Sequence, residues 1–215
     1  MKPIQTFFST QIYSTSFSAS YLTPRSGPRS ARFIAQLARE ARLFRESDTE
    51  GKKWSRKNYP SGYTSYSSIA DLAFRSRSFE KLKGWIDGHV ARYAEKLQMD
   101  LGKGRLQMTS FWINIMGEHC THASHLHPLS SVSGTFYLQV PRNSAGIKFE
   151  DPRLAQFMAS PPRTLKARTE NKRFIEFKPK AGTLILFESW LKHEVPPNRS
   201  NEERISVSFN YDWIQ

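Results

Sequence analysis

The stretch HLHPLSSVSGTFYLQVP, residues 125–141, places two histidines directly before a run of β-forming residues that ends at a proline. His125 and His127 are separated by one residue, so on an extended strand both side chains project from the same face. Their Cα atoms are then roughly 6.6 Å apart, at about 3.3 Å per residue, a span that two imidazoles can close on one metal ion. Because the neutral imidazole readily binds transition metals, this stretch predicts a metal site at the end of a strand.

A third histidine of the candidate site lies far along the chain. His193 follows the apolar run at residues 182–187, which predicts a buried strand. Four of the six histidines fall within residues 119–127, and a dense cluster with one distant histidine is typical of a metal site built from two parts of a chain. For an isolated histidine a structural role is the simpler interpretation, but the ordered set His125, His127 and His193 favours metal binding.

Residues 204–210, RISVSFN, alternate polar and apolar side chains. On a strand this alternation places Arg204, Ser206 and Ser208 on one face. A guanidinium fork beside a serine hydroxyl, next to a metal, suits a bound carboxylate. The competing interpretation is an amphipathic strand with a solvated polar face; the short spacing from His193 favours the carboxylate clamp.

The order His-x-His, distal His and Arg-x-Ser resembles the 2-oxoglutarate- and Fe(II)-dependent dioxygenases of the double-stranded β-helix superfamily. More narrowly, several phrases are similar to one bacterial, largely uncharacterised group of oxygenases: HLHPLSSVSGTFYLQVP, IKFEDPR, AGTLILFESWLKHEVPPN and ERISVSFN, with FFST, GYTSYSS and FWIN nearer the start. The resemblance implies a mainly β fold with flanking helices, a jelly-roll or cupin-like core. It also implies Fe(II) bound at the histidines, 2-oxoglutarate anchored by Arg204 and Ser206, and hydroxylation of a substrate with release of succinate and CO₂.

One departure from the superfamily concerns the third metal ligand. The usual set is two histidines and one carboxylate, and His127 stands where that carboxylate is expected. Either the three ligands are all histidines, or a carboxylate such as Glu150 or Asp151 completes the set. A turn or a salt bridge is the simpler role for these two carboxylates, which favours three histidines.

Three further residues are candidates for contacts around the metal. His122 lies three residues before His125, so on a regular strand it is expected on the opposite face, where it would support the site or meet the substrate. Asn114 and Tyr137 are polar groups on flanking strands and candidate contacts of the metal ligands or the co-substrate, with an ordinary structural role as the alternative. No catalytic side chain is predicted beyond the metal centre.

The chain reads as one domain, residues 1–215, with residues 1–106 mostly helical and loop-like and residues 107–215 forming the β core that carries the site. Apolar periodicity predicts helices at residues 30–45 and 78–99, which would support the sheet from outside. Residues 51–68 are predicted to form a long loop over the mouth of the site, and residues 152–172 a long insertion between strands.

Charge and cysteine content limit the partners and the compartment. With 32 Lys and Arg against 19 Asp and Glu the net charge is +13, which makes nucleic acid or another polyanion a candidate partner. The single Cys120 excludes an intramolecular disulfide and a cysteine-based zinc site. We find no signal-peptide pattern and no apolar run of membrane-spanning length, so a cytoplasmic location away from membranes is expected. The oligomeric state is not predicted.

Two rival functions remain open from the sequence. A cupin-type three-histidine dioxygenase that uses no oxo acid would account for His125, His127 and His193 equally well, but it does not require the clamp at Arg204 and Ser206. A barrel without catalysis that holds a polyanion on its basic surface would account for the charge, but not for the intact candidate ligands. The oxygenase that uses 2-oxoglutarate is therefore favoured.

Overall fold

The computed structural model describes residues 4–18, 27–153 and 159–215. These residues form ten strands and four α-helices. The helices are α1 Gly27–Ser47, α2 Thr49–Asn58, α3 Leu72–Arg75 and α4 Arg77–Lys96. The strands are β1 Tyr13–Ser16, β2 Gly62–Thr64, β3 Arg105–Met116, β4 His122–His125, β5 Val132–Gln139, β6 Ile147–Glu150, β7 Phe174–Phe177, β8 Thr183–Glu188, β9 His193–Val195 and β10 Arg204–Ile214.

The strands make two antiparallel sheets. The six-stranded major sheet has the order β1-β8-β5-β10-β3-β2, and the four-stranded minor sheet has the order β4-β9-β6-β7. From β3 onward the chain passes from one sheet to the other after almost every strand, so that β3, β5, β8 and β10 lie in the major sheet and the strands between them in the minor sheet. This winding confirms the prediction of a mainly β, jelly-roll core with flanking helices.

The central strands of the major sheet are buried on both faces, which explains their nearly continuous apolar sequences. The run in β8 that was predicted to be a buried strand has four consecutive buried residues, Leu184 to Phe187. On β10, Ile205 and Val207 point to the outer face and are fully buried under helices α1 and α4. The opposite face of β10 therefore points between the two sheets, where the site lies.

The helices cover the outer face of the major sheet, as predicted. Leu37 of α1 and Leu82 and Ile86 of α4 are fully buried in one cluster with Phe136 and Val207 of the sheet. Helix α4 begins at a capping serine, Ser76, whose hydroxyl accepts hydrogen bonds from the backbone N–H groups of the first turn. Burial of apolar side chains along one stripe thus fixes both helices against the sheet.

The prediction of a loop over residues 51–68 is wrong in its first half, because residues 49–58 form helix α2. The buried carboxylate of Asp48 caps this helix and accepts a 2.8 Å hydrogen bond from the backbone N–H of Gly51. The sequence TEGKKWSRKN has Trp54 as its one large apolar residue, so the cap and the tertiary contacts decide its conformation.

The predicted insertion at residues 152–172 contains only a short 3₁₀ helix, Thr169–Asn171, among its described residues, and residues 154–158 lie outside them. The two predicted long helices are confirmed, with bounds Gly27–Ser47 and Arg77–Lys96. The division of the chain at residue 106 stays a prediction. Among the helices described, none combines the length and the apolarity needed to cross a bilayer.

Candidate active site

Three histidines meet at one end of the space between the sheets. His125 on β4 and His193 on β9 face each other across an antiparallel pair, with ring centroids 4.3 Å apart. His127 lies just beyond β4 and is held there by a 3.0 Å backbone hydrogen bond to Ser189. Its ring centroid is 5.2 Å from that of His125 and 5.1 Å from that of His193. One ligand nitrogen from each ring lies within 4.8 Å of the others, a geometry that could hold a metal ion.

Hydrogen bonds set which nitrogen each ring offers. The Nδ1 atoms of His125 and His193 lie 2.7 Å and 2.9 Å from the backbone oxygens of Ala123 and Leu191. A carbonyl oxygen can only accept, so both Nδ1 atoms carry the proton and both Nε2 atoms keep a free lone pair. Such contacts fix the tautomer and orientation of metal-binding histidines in proteins.

A buried polar group behind His127 does the same for the third ring. The side-chain oxygen of Asn210 lies 2.5 Å from Nδ1 of His127 and accepts a hydrogen bond from it. Ser133 donates to the same oxygen at 2.9 Å and lies 2.7 Å from Ser189. We did not predict these supporting residues; only the position of Asn210 on the face of β10 shared with Arg204 and Ser206 could have indicated one of them.

The expectation that His122 faces away from His125 is wrong. The two rings are stacked, with centroids 4.4 Å apart. His122 pairs with Val195 and His125 with His193, so three residue steps on β4 match two on β9. The register irregularity between them restores both side chains to one face. His122 thus lies beside the three converging histidines, against the ring of Tyr59 at 5.5 Å.

The candidate clamp residues line the same cavity as the histidines, together with Asn114 and Tyr137. Arg204 and Ser206 are each only 2% exposed, which excludes a solvated polar face for this strand. The Arg204 guanidinium lies 4.9 Å from the centre of the Tyr137 ring and 3.4 Å from the Ser206 hydroxyl. No carboxylate within the described residues lies within ion-pair distance of it.

Unpaired polar atoms are concentrated around this cavity. In the part of the chain that is described, six buried side-chain nitrogen or oxygen atoms lack a hydrogen-bond partner, and four of them belong to residues that line it: Tyr59, Asn114, Tyr137 and Arg204. Leaving such an atom unpaired costs about 1–3 kcal/mol. A buried guanidinium whose Nε lacks a partner, beside two unpaired hydroxyls, is therefore suited to a polar ligand, and its charge suits an anion.

The two carboxylates considered as alternative metal ligands are engaged elsewhere. Glu150 pairs with Arg173 at 3.5 Å and Lys192 at 3.4 Å, and Asp151 pairs with Arg153 at 2.8 Å. Within the described residues neither belongs to the group whose atoms converge on one point. The geometry thus agrees with the three-histidine interpretation.

Burial keeps these imidazoles neutral. Loss of solvation, followed by the proximity of His125, lowers the pKa of His193 to about 3 and that of His122 to about 4. Burial likewise lowers the pKa values of His125 and His127. A metal ion binds the neutral form, so protons compete poorly for the site at neutral pH.

This burial makes the stability of the metal-free protein depend on pH. Between the unfolded value near 6.5 and the folded values near 3 and 4, the unfolded chain binds more protons than the folded one, so the free energy of unfolding falls as the pH falls. Between pH 7.5 and pH 5.5 we expect His122 and His193 together to lower the free energy of unfolding by about 2–3 kcal/mol. Each group contributes about 1.4 kcal/mol for each pH unit below its unfolded pKa. Urea unfolding at both pH values measures this. His122→Ala should show a clearly weaker dependence; an identical dependence in that variant would contradict the assignment.

A family model described as "Putative 2OG-Fe(II) oxygenase" matches residues 110–210, the segment that carries every residue placed around the metal site above. On this match the protein is identified as a 2OG-Fe(II) oxygenase across that segment. It is therefore an oxidoreductase of the class that uses Fe(II) and 2-oxoglutarate. Of the rival functions, the dioxygenase without an oxo acid does not account for this match. No curated protein sequence matches this 2OG-Fe(II) oxygenase.

Solved structures of similar fold agree with the predicted architecture. The epimerase SnoN, solved with Fe3+, alpha ketoglutarate and nogalamycin RO, has 16% identity and a TM-score of 0.62, covering 94% of this chain and 79% of its own. HygX from Streptomyces hygroscopicus, solved with nickel and 2-oxoglutarate, has 14% identity and a TM-score of 0.59, covering 94% and 83%. A prolyl-4-hydroxylase from Pseudomonas putida has 15% identity and a TM-score of 0.57, covering 95% and 93%. At these identities the likeness shows the fold, which is the predicted double-stranded β-helix.

Proposed function

We propose that this oxygenase binds Fe(II) through the Nε2 atoms of His125, His127 and His193. In this proposal Arg204 and Ser206 hold the distal carboxylate of 2-oxoglutarate, and the enzyme hydroxylates a substrate while releasing succinate and CO₂. The observation that carries the proposal is the Arg204 guanidinium, which is buried without a carboxylate partner in the cavity that the three histidines also line.

The anchor of the co-substrate follows from charge and hydrogen bonding. A buried guanidinium without a counter-ion is costly, and a bound carboxylate would offset that cost through two charge-assisted hydrogen bonds. The Ser206 hydroxyl lies on the same face, 3.4 Å from the guanidinium, and can donate a third. The Tyr137 hydroxyl is buried without a partner in the same cavity and would supply a further donor.

The chemistry of the ligand set fits Fe(II) with one difference from the usual pattern. Imidazole binds iron well, but three neutral ligands leave the full charge of a divalent ion to be offset by the co-substrate. Iron bound there would catalyse the oxidative decarboxylation of 2-oxoglutarate, coupled to oxidation of the substrate. The protein orients the ligands through Ala123, Leu191 and Asn210, holds the far end of the co-substrate through Arg204, and shields the cavity from bulk water.

The substrate is not inherited from the structures of similar fold. SnoN was solved with nogalamycin RO, and HygX with hygromycin B. These are two different ligands, so the fold alone does not select one. The cytoplasm remains our proposed location, motivated by the single cysteine.

Anaerobic titration of Fe(II) into the metal-free protein, with and without 2-oxoglutarate, tests this proposal. We expect one Fe(II) per chain, and a weak visible absorption of chelated 2-oxoglutarate that appears only when both components are present. Metal binding without this absorption, and without measurable 2-oxoglutarate affinity, would overturn the assignment of the clamp.

Exchanging the third ligand tests the all-histidine set. His127→Asp is expected to retain Fe(II), because it restores the carboxylate that the superfamily usually carries at this position. His127→Ala should lose most of the metal, whereas Asp151→Ala should keep it, since Asp151 pairs with Arg153. Iron content of the purified variants measures all three. Loss of iron in Asp151→Ala with retention in His127→Ala would show that the third ligand is a carboxylate.

A further inference from the structure

A second cavity, of about 400 Å³, adjoins the metal site and is not lined by Arg204. His125 and His127 form part of its wall, so a molecule held there would meet the metal directly. Its remaining wall is dominated by aromatic side chains from separate parts of the chain: Trp54 on α2, Tyr59 after α2, Tyr66 after β2 and Trp112 on β3. None of these four was identified from the sequence as a functional residue.

The aromatic side chains are arranged as walls with exposed faces. Tyr66 and Trp112 meet edge to face, with centroids 4.9 Å apart, and Trp112 lies 6.1 Å from the ring of His127. Trp54 is 40% exposed and Tyr66 53% exposed, although both are large apolar groups. Exposed aromatic faces grouped around a cavity are typical of ligand-binding sites, and they suit planar rings, which stack on them.

The charge around this cavity disfavours a cationic ligand. No Asp, Glu, Lys or Arg of the described residues lines it. Helix α2, which contributes Trp54 and Asn58 to the wall, also carries exposed Lys53 and Lys57, for which no ion pair is found among the described residues. Lys57 lies three residues after Trp54, and side chains three apart are neighbours on a helix. A cation would be attracted by the aromatic rings but repelled by these two lysines of helix α2 and by the net charge of +13.

We propose that the substrate is a nucleotide: a planar, uncharged heteroaromatic ring stacked in this aromatic cavity, joined to a phosphate that Lys53 and Lys57 bind at the rim. This inference rests on the proposed function, since the cavity is a substrate site only if His125 and His127 hold the metal. The nucleotide is free or belongs to a single-stranded nucleic acid, because both present the same ring and phosphate.

Calorimetric titration of the anaerobic Mn(II) and 2-oxoglutarate-loaded protein tests the proposal. The probes are the nucleoside 5′-monophosphates, the matching nucleosides, ribose 5-phosphate, a short single-stranded oligonucleotide and benzyltrimethylammonium. We expect at least one monophosphate to bind more tightly than its nucleoside and than ribose 5-phosphate. If the oligonucleotide binds more tightly than the monophosphate, with a strong dependence on salt, the site belongs to nucleic acid. If the oligonucleotide binds equally or more weakly, the site belongs to a free nucleotide.

Variants separate the two contacts. Trp54→Ala should lower the affinity for the monophosphate at least about fivefold and leave the affinity for ribose 5-phosphate unchanged. The reason is that stacking stabilises only a ligand that carries an aromatic ring. The double variant Lys53→Ala/Lys57→Ala should abolish the preference for the monophosphate over the nucleoside. Matched controls are Trp213→Ala, a tryptophan of similar exposure outside the cavity, and Lys81→Ala/Lys96→Ala on α4; both should bind as the parent protein does.

The proposal is overturned if benzyltrimethylammonium binds more tightly than every monophosphate, if no monophosphate exceeds both its nucleoside and ribose 5-phosphate, or if Trp54→Ala leaves nucleotide affinity unchanged. These outcomes are distinguishable from failure of the proposed function. That failure would appear in the same protein as a loss of Mn(II) or 2-oxoglutarate binding, each titrated before any nucleotide is added.

Discussion

Replacing His125 or His193 by alanine is expected to abolish tight Fe(II) binding. Each ring supplies one of three converging nitrogens, and their backbone hydrogen bonds leave Nε2 free for the metal. Loss of a residue that only supports a ligand weakens metal binding by about 10–100-fold, so loss of a ligand itself should cost more. Iron content after anaerobic loading and gel filtration, together with a Kd from competition with a chelator, measures the effect.

Two other histidines serve as controls for that experiment. His119→Ala removes an exposed ring that is not part of the convergent group among the described residues, and it should leave Fe(II) affinity unchanged. His122→Ala removes a ring that stacks on His125 without joining the convergent group. It should therefore lower the affinity for Fe(II) far less than His125→Ala does. Stoichiometric, tight Fe(II) in both His125→Ala and His193→Ala would refute the ligand assignment.

Replacing Arg204 by alanine is expected to weaken 2-oxoglutarate at least about tenfold while leaving Fe(II) affinity nearly unchanged. A charge-assisted hydrogen bond contributes roughly 1.5–3 kcal/mol, and 1.4 kcal/mol corresponds to a factor of ten. Arg204→Lys keeps the charge but loses the bidentate contact, so its affinity for 2-oxoglutarate should lie between those of the parent protein and Arg204→Ala. Ser206→Ala should show the same pattern more mildly. Calorimetric titration of 2-oxoglutarate into the anaerobic Mn(II) protein measures all three.

Folding of the Arg204 variants can be separated from binding. Because the guanidinium is buried without an ion-pair partner in the described structure, its replacement by a well-packed apolar residue such as Arg204→Met need not destabilise the metal-free protein. Arg42→Ala is the matched control, since Arg42 pairs with Glu203 at 3.1 Å on the surface and should leave 2-oxoglutarate affinity unchanged. Equal affinity of the parent protein and a folded Arg204→Ala variant would remove the clamp.

Features with a short repeat were predictable from the sequence alone. Side chains of a strand alternate between faces, so RISVSFN by itself placed Arg204 and Ser206 on the face opposite Ile205 and Val207, as the structure shows. The helices at residues 30–45 and 78–99 followed from apolar periodicity in the same way. The spacing and order of the histidines indicated His125, His127 and His193 together, and the three rings do meet.

Features that depend on strand pairing or on contacts between distant segments were decided only by the tertiary structure. The face of His122 depended on an irregular register with β9, which no local pattern shows. Asn210 lies behind His127 because β10 pairs with β5 in the folded sheet. The aromatic cavity combines α2, the segments after α2 and β2, and β3. Periodicity acts over a few residues and can be seen in the sequence, whereas pairing register and the assembly of distant surfaces result from packing of the whole chain.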